Sequence, residues 1–392
     1  MSVAPWTELP PEIIETISKR LTIYTDYLRF RCISRTFLSS IPKTPLHLPP
    51  QLPCLILSHQ SFFDLSTQKT HLFNHPLPSH NRTRFCGSSH GWLVILDQTP
   101  QILLFNPITR VTLFLPPINT FPNVLSFDYS NIGREYSVRN PNGQLAYFDL
   151  KEMCNDFIRK IVLSSSPSQN DEFTAFAIVG CNDSNNLAFC KKGYNSWILL
   201  SEQEIYHFWE DVVYHNGLFY AVNKGGTIAV CDVEVPRVSI IRTTAPVEFY
   251  GDIFYTVFSG EELLLVTRIL EQDFSDAGDM FVYRTARFEV FKMDWNLMTW
   301  NKIETLGDKA LFVGGNSSVC FSANDFVGCC ADCIYFTDDY SESNHDDVCG
   351  KHDFGIFRLR DRTVDPLLPS DSRNAFSRLG CPLPVWISPN PY

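Results

Sequence analysis

The feature that most constrains this 392-residue chain is a recurring unit of short strands separated by turns, none of which buries both faces alone. One unit covers residues 91–96, 101–107 and 111–115. A second covers 216–222, a Lys224-Gly225-Gly226 turn, 227–231 and 238–241. A third starts at Gly260 and takes in 262–266, 287–295 and 299–303. A fourth covers 332–336, 355–359 and 363–367, and a weaker fifth covers 171–179, 186–189 and 196–200. Gly217 and Gly260 stand 43 residues apart, within the ~40–50-residue period of propeller blades. Radial stacking covers the open faces and leaves few open edges. The expected fold class is therefore mainly β, an irregular β-propeller-like domain of about six blades. Longer, uneven intervals between the other units point to insertions, and one or two β-sandwiches are the alternative. Composition agrees. Aromatics are 14% of the chain, with 31 Phe, and aromatic and β-branched side chains suit pleated, half-buried surfaces.

Residues 1–41 read differently. Ile13, Ile14, Ile17 and Leu21 line one face of a helix that Pro10 and Pro11 begin. Thr25 and Asp26 offer an N-cap to a second helix carrying Tyr27, Leu28 and Cys32. Ser34 caps a third, short turn through Phe37, Leu38 and Ile41, stopped by Pro42. Three short helices form little core unaided, so their apolar faces need a partner. Five prolines in residues 42–53 predict a semi-rigid linker, and residues 54–392 form the large domain.

A formal net charge of −11 with no Lys/Arg run excludes phosphate-backbone contact as the main activity. No apolar run approaches the ~20 residues that span a bilayer. Thirteen cysteines, an odd number without a regular framework, predict free thiols in a reducing compartment, nucleus or cytoplasm. The sequons at Asn81, Asn182 and Asn316 are then chance matches. Cys330-x-x-Cys333, with Cys329, Cys349, His345 and His352 nearby, has the spacing of half a structural zinc site. The second half is absent, so neither a metal nor another cofactor is expected. His345-Asp346-Asp347 and His352-Asp353 sit in an acidic segment, 338–353, expected to be an exposed, solvated loop; a second polar insertion lies at 271–280. No nucleophile elbow, phosphate loop or His-Glu-x-x-His helix is present, and no catalytic residue is assigned. Gly225-Gly226 is a hairpin turn, and Trp92, Trp197, Trp209, Trp295, Trp300 and Trp386 are blade-core candidates.

The N-terminal run Trp6-Thr7-Glu8-Leu9-Pro10-Pro11-Glu12-Ile13-Ile14, with Ile17, Leu21 and residues 26–35, resembles an F-box. The rest resembles the plant F-box proteins with a C-terminal propeller-like domain, the KIB-type group, down to residues 332–336, 353–357 and the closing Pro382-Leu383-Pro384-Val385-Trp386-Ile387. The resemblance implies the substrate-recognition subunit of a cullin-based ubiquitin ligase. Its F-box would dock on a Skp-type adaptor, and through it a cullin, while the propeller holds a protein target. Leu9, Pro10, Ile13, Ile14, Ile17, Leu21, Leu28, Phe30 and Ile33 are the expected docking and core residues, not separable by sequence. Many family members read Val-Cys-x-x-Trp where this chain has Ile33-Ser34-Arg35-Thr36-Phe37. That departure leaves open an F-box-derived binding module acting outside a ligase. A propeller enzyme, betrayed by titratable side chains converging at one mouth, is the third class.

Overall fold

The structure is a computed structural model that describes the chain except residues 1–8, 43–44, 46, 49–50, 79–82, 141–142, 169–171, 181–184, 201–207, 247–248, 275–280, 341–351, 369–382 and 391–392. Three helices come first: α1 (Pro11–Ser18), α2 (Tyr24–Arg31) and α3 (Arg35–Ser40). Pro11 stands at the first turn of α1, where its missing N–H costs nothing. Helix α2 starts earlier than expected. Ile23, not Thr25 or Asp26, is its N-cap, with no side-chain cap, and Asp26 instead pairs with Arg29 inside the helix. Ser34 does cap α3, its hydroxyl accepting from the Phe37 N–H. Ile14, Tyr27, Phe37 and Ile41 form the buried centre of the unit.

Among the described residues the strands build seven sheets. The first holds β1 (Cys54–Ile56), β2 (Ser61–Asp64) and β3 (Lys69–Leu72). The second holds β4 (Arg84–Ser89), β5 (Trp92–Leu96), β6 (Ile102–Phe105) and β7 (Thr112–Leu115). A three-stranded sheet follows, β8 (Val124–Phe127), β9 (Tyr136–Arg139) and β10 (Leu145–Phe148). Next come β11 (Ile158–Leu163), β12 (Thr174–Val179), β13 (Asn186–Lys191) and β14 (Ile198–Leu200), then β15 (Trp209–His215), β16 (Leu218–Asn223), β17 (Ile228–Asp232) and β18 (Arg237–Ile241). The next sheet has β19 (Ile253–Ser259), β20 (Glu262–Phe274), β21 (Phe281–Asp294) and β22 (Thr299–Ile303). The last has β23 (Lys309–Val313), β24 (Val319–Ser322), β25 (Cys333–Phe336), β26 (Gly355–Arg358) and β27 (Thr363–Asp365). Finally β28 (Val385–Ile387) returns to pair antiparallel with β1.

Among the described residues six hydrophobic clusters sit between successive blades and close the ring. The cluster of Leu55, Phe63, Phe312, Tyr335 and Trp386 joins the last blade to the first. The three-stranded sheet packs Val124, Tyr136 and Val138 into the cluster between the second and third blades, so it is an insertion beside the ring rather than a blade of it. Six blades agree with the expected architecture. Trp92, Trp197, Trp209, Trp300 and Trp386 are all buried, while Trp295 is half-buried against its cluster.

The polar insertion at 271–280 reads differently in space. Strands β20 and β21 pair from Leu264↔Lys292 out to Phe274↔Phe281, whereas β19 accompanies β20 only as far as Arg268. The described part of that insertion is thus a two-stranded ribbon extending past its blade. In the last blade β24 lies at the edge beside β23, and β23 runs parallel to β25.

Candidate docking site

The three helices sort the expected docking residues by burial. Ile14 has no exposed surface and belongs to the core. Leu9, Leu21 and Phe30 are half-buried and pack onto that core, Phe30 edge-on to Phe37 at 5.0 Å. Ile17 and Leu28 are half-buried. Pro10 is exposed, as are Ile13 at 46% and Ile33 at 52%. Two further aliphatics are equally bare: Leu38 of α3 at 45% and Ile23 at 49%. Of the apolar residues expected in the third turn, Phe37 and Ile41 fill the inward face and Leu38 points outward. Helix α1 shows how the division arises. Adjacent residues on a helix lie about 100° apart, so Ile14 can face inward while Ile13 faces out.

Both departures from the common F-box pattern have structural roles. Ser34 supplies the cap of α3 and Phe37 is fully buried at the centre of the unit. The proline-rich segment is also tied down. The Tyr27 hydroxyl donates to Pro42 O at 2.7 Å, and Arg31 Nε donates to Ile41 O at 3.1 Å. Gln51 clasps the start of α2, accepting from Tyr24 N and donating to Thr22 O, each at 3.0 Å.

The propeller's inner strands run from one mouth to the other. Where they begin, a cavity of about 70 Å³ is ringed by Arg84, Arg159, Lys160, Glu210 and Asp211, with Tyr255, Asp338 and Asp339. Sequence reading found no such convergence, because these residues lie on five different blades, Asp338 and Asp339 just past β25 and the others in strands without alternation. Four of the charges pair across the ring, while Arg84 donates to Cys154 O and Ile158 O and Asp339 pairs with Arg268. Lys160 pairs with Asp211, and Arg159 with Glu210. Asp211 also accepts from Thr256 N at 2.7 Å. Burial raises the Glu210 carboxyl above its ordinary range, opposed by Arg159 and Lys224. The Lys160–Asp211 and Arg159–Glu210 pairs tie β11 to β15 around this small space.

Segment 338–353 is not simply a solvated loop. Its two ends are anchored inside the molecule by Arg268, which has no exposed surface. Arg268 donates to Tyr255 OH, Thr285 Oγ1, Thr337 O, Asp339 Oδ1 and both Asp353 O and Oδ2, at 2.7–3.1 Å. His352 is buried against Asp338, which also takes the Tyr283 hydroxyl. His345, Asp346, Asp347 and Cys349 lie outside the described residues. Cys333 is buried in β25 and its thiol, pushed by burial up to about 12, donates to Ala331 O. Among the described residues no group of three His, Cys, Asp or Glu side chains is placed to hold a metal ion, and the ten cysteines are free thiols. No helix among them is long and apolar enough to cross a membrane.

Comparison with known proteins places this architecture. F-box protein SKIP23 of Arabidopsis thaliana is 25% identical over 98% of this chain and 95% of its own length. F-box protein At4g35733 of the same plant is 22% identical over 96% and 98%. Putative F-box protein At5g55150 is 26% identical over 79% and 78%. The family model described as KIB1-4 beta-propeller matches residues 62–358, from β2 to the end of β26. With six blades closed by a C-terminal strand, a helical unit ahead of them and full-length F-box relatives, this chain belongs to the KIB1-4 beta-propeller family of plant F-box proteins.

Proposed function

We propose that this chain is the substrate-recognition subunit of an SCF-type, cullin-based ubiquitin ligase. Its three-helix unit docks on a Skp-type adaptor and its propeller holds a protein target for ubiquitination. It acts by proximity and does no covalent chemistry itself. The observation that carries this reading is the split within the helices. Ile14, Tyr27 and Phe37 complete the internal core, yet Ile13, Ile33 and Leu38 stay exposed. Each is about half exposed, so burying the remainder against a partner is worth on the order of 1 kcal/mol. Ser34 and Phe37 complete the fold of the unit, which favours a competent F-box over a degenerate one. The free thiols fit the nucleus or cytoplasm.

Co-purification tests the reading. The full chain recovers a Skp-type adaptor, and residues 54–392 alone do not. Ile13→Asp abolishes recovery while leaving the fold intact, because Ile13 is exposed in the free chain and its replacement would bury an unpaired carboxylate at the interface. A full chain that recovers no adaptor overturns the proposal.

A further inference from the structure

The second mouth of the propeller, where the inner strands end, differs from the first in size and chemistry. It opens into a cavity of about 540 Å³, within the ~300–1,000 Å³ range of small-molecule sites. Leu163, Val213, Phe258 and Trp386 form its walls on the propeller side, and Tyr24 and Leu48 close it from the helical unit and the proline-rich segment. Charged residues make up 19% of the chain. Among the described residues, none of those lining this cavity is Asp, Glu, Lys or Arg. The smaller cavity at the opposite mouth is lined by Arg84, Arg159, Lys160, Glu210 and Asp211 among others. One axis thus ends in a ring of ionic side chains at one side and, at the other, a chamber without carboxylate, ammonium or guanidinium groups in its lining, where His215 pairs at its far side with Glu261 at 3.4 Å.

The polar groups of the chamber are hydroxyls, amides and imidazoles. Ser88, Ser89, His90, His215 and Asn390 come from the propeller, and Gln51 from the segment that clasps α2. The His215 ring lies flat on Phe258, 3.8 Å between centroids and 7° from parallel. Such a lining satisfies the hydroxyl or carbonyl groups of a ligand but offers a charged one little: burial holds His90 toward its neutral form and His215 is already paired with Glu261, so the charge would lose its hydration poorly compensated. Backbone geometry holds the chamber open at a fixed width. Ser317 N donates to Ser88 O at 2.7 Å, tying the last blade to the second. Asn106 Nδ2 donates to Asn390 O at 3.1 Å, seating the C-terminal segment at the rim.

We propose that this chamber binds a neutral, mainly apolar small molecule carrying hydroxyl or carbonyl groups, held between the propeller and the three-helix unit. The proposal stands independently of adaptor docking. A ligand there touches Tyr24 and Leu48 as well as the inner strands, so it couples the orientation of the helices to the ring.

Two fluorescent probes with the same ring body separate the outcomes: neutral N-phenyl-1-naphthylamine and anionic 8-anilinonaphthalene-1-sulfonate, each titrated into the full chain. The neutral probe saturates at one per chain and binds at least tenfold more tightly than the sulfonate. Val213→Phe fills the chamber from β15 and Ser317→Trp from the turn before β24, where the Ser317 N–H bond is kept. Either variant that keeps the wild-type melting temperature loses at least tenfold in affinity for the neutral probe. Failure of the neutral probe to saturate overturns the proposal, as does sulfonate binding of equal strength. Wild-type affinity in a folded, filled variant overturns it too.

Discussion

Arg268→Met is the sharpest test of how the last two blades are held. Arg268 is fully buried between Phe288 and Phe336, with its guanidinium 5.8 and 4.7 Å from their ring centres. It anchors Asp339 and Asp353, whose side chains are only 16% and 13% exposed. Methionine fills much of the volume but strands two carboxylates and the Thr337 carbonyl. Removing one partner of a buried ion pair costs about 3–5 kcal/mol. The cost depends on pH. Burial already pushes the Asp339 carboxyl up to about 6, against the opposing charge of Arg268. A carboxyl raised on folding adds stability below its unfolded pKa of about 3.9 and loses it as pH rises through the folded value. Without Arg268 the Asp339 value rises further. The variant's penalty is therefore full at pH 8 and smaller by on the order of 1–2 kcal/mol at pH 5, where Asp339 carries its proton. Equilibrium denaturant unfolding of wild type and variant at both pH values measures this. A loss below about 1 kcal/mol at pH 8, or an equal loss at both, refutes the assignment of Arg268 as the anchor.

Trp386→Ala removes the fully buried ring that meets Phe312 and Tyr335 at 5.2 and 6.2 Å; a loss of about 3–5 kcal/mol is expected by denaturant titration. Gly87→Ala would place its Cβ 2.3 Å from the Ile161 carbonyl oxygen, forcing neighbouring inner strands apart. It should cost about 3 kcal/mol or more, read as a lowered melting temperature. Ile14→Ala opens a void at the centre of the helices, costing that unit about 2–5 kcal/mol; limited proteolysis of the full chain should cut within residues 9–41 sooner, whereas Ile13→Asp should leave the cutting rate unchanged.

Each strand unit read from sequence captured outer strands of a blade and missed the strand on the axis. The unit at 216–241 matches β16 to β18 but not β15. The unit at 91–115 matches β5 to β7 but not β4. The reason is local. Outer strands alternate or run apolar, as in Trp92–Leu96. Inner strands mix hydrophobics with channel-lining polar groups, Ser88 and Ser89 in β4, Lys160 in β11, Glu210 and Asp211 in β15, so no single period marks them. The first blade stayed hidden because its fourth strand comes from residues 385–387, more than 300 positions away from β1. In the helical unit the i, i+4 pattern located α1, but Ile13 and Ile14 are the same residue type with opposite fates. Only the packing of α1 on Tyr27 and Phe37 separates them. The placing of His352 and Asp353 was equally invisible, since Asp353 is held by an arginine 85 residues earlier and His352 by Asp338.

The pairing of β28 with β1 also orders events in time. The helical unit is complete once the first ~41 residues have left the ribosome, whereas the ring cannot close until residues 385–387 emerge. At about 5–20 residues per second that interval is on the order of half a minute. During it, the apolar edge of β1 and the pocket for Trp386 stand open on every nascent chain. A message cut short before codon 385 would make a polypeptide with an unclosed ring, its first-blade core exposed where Trp386 belongs.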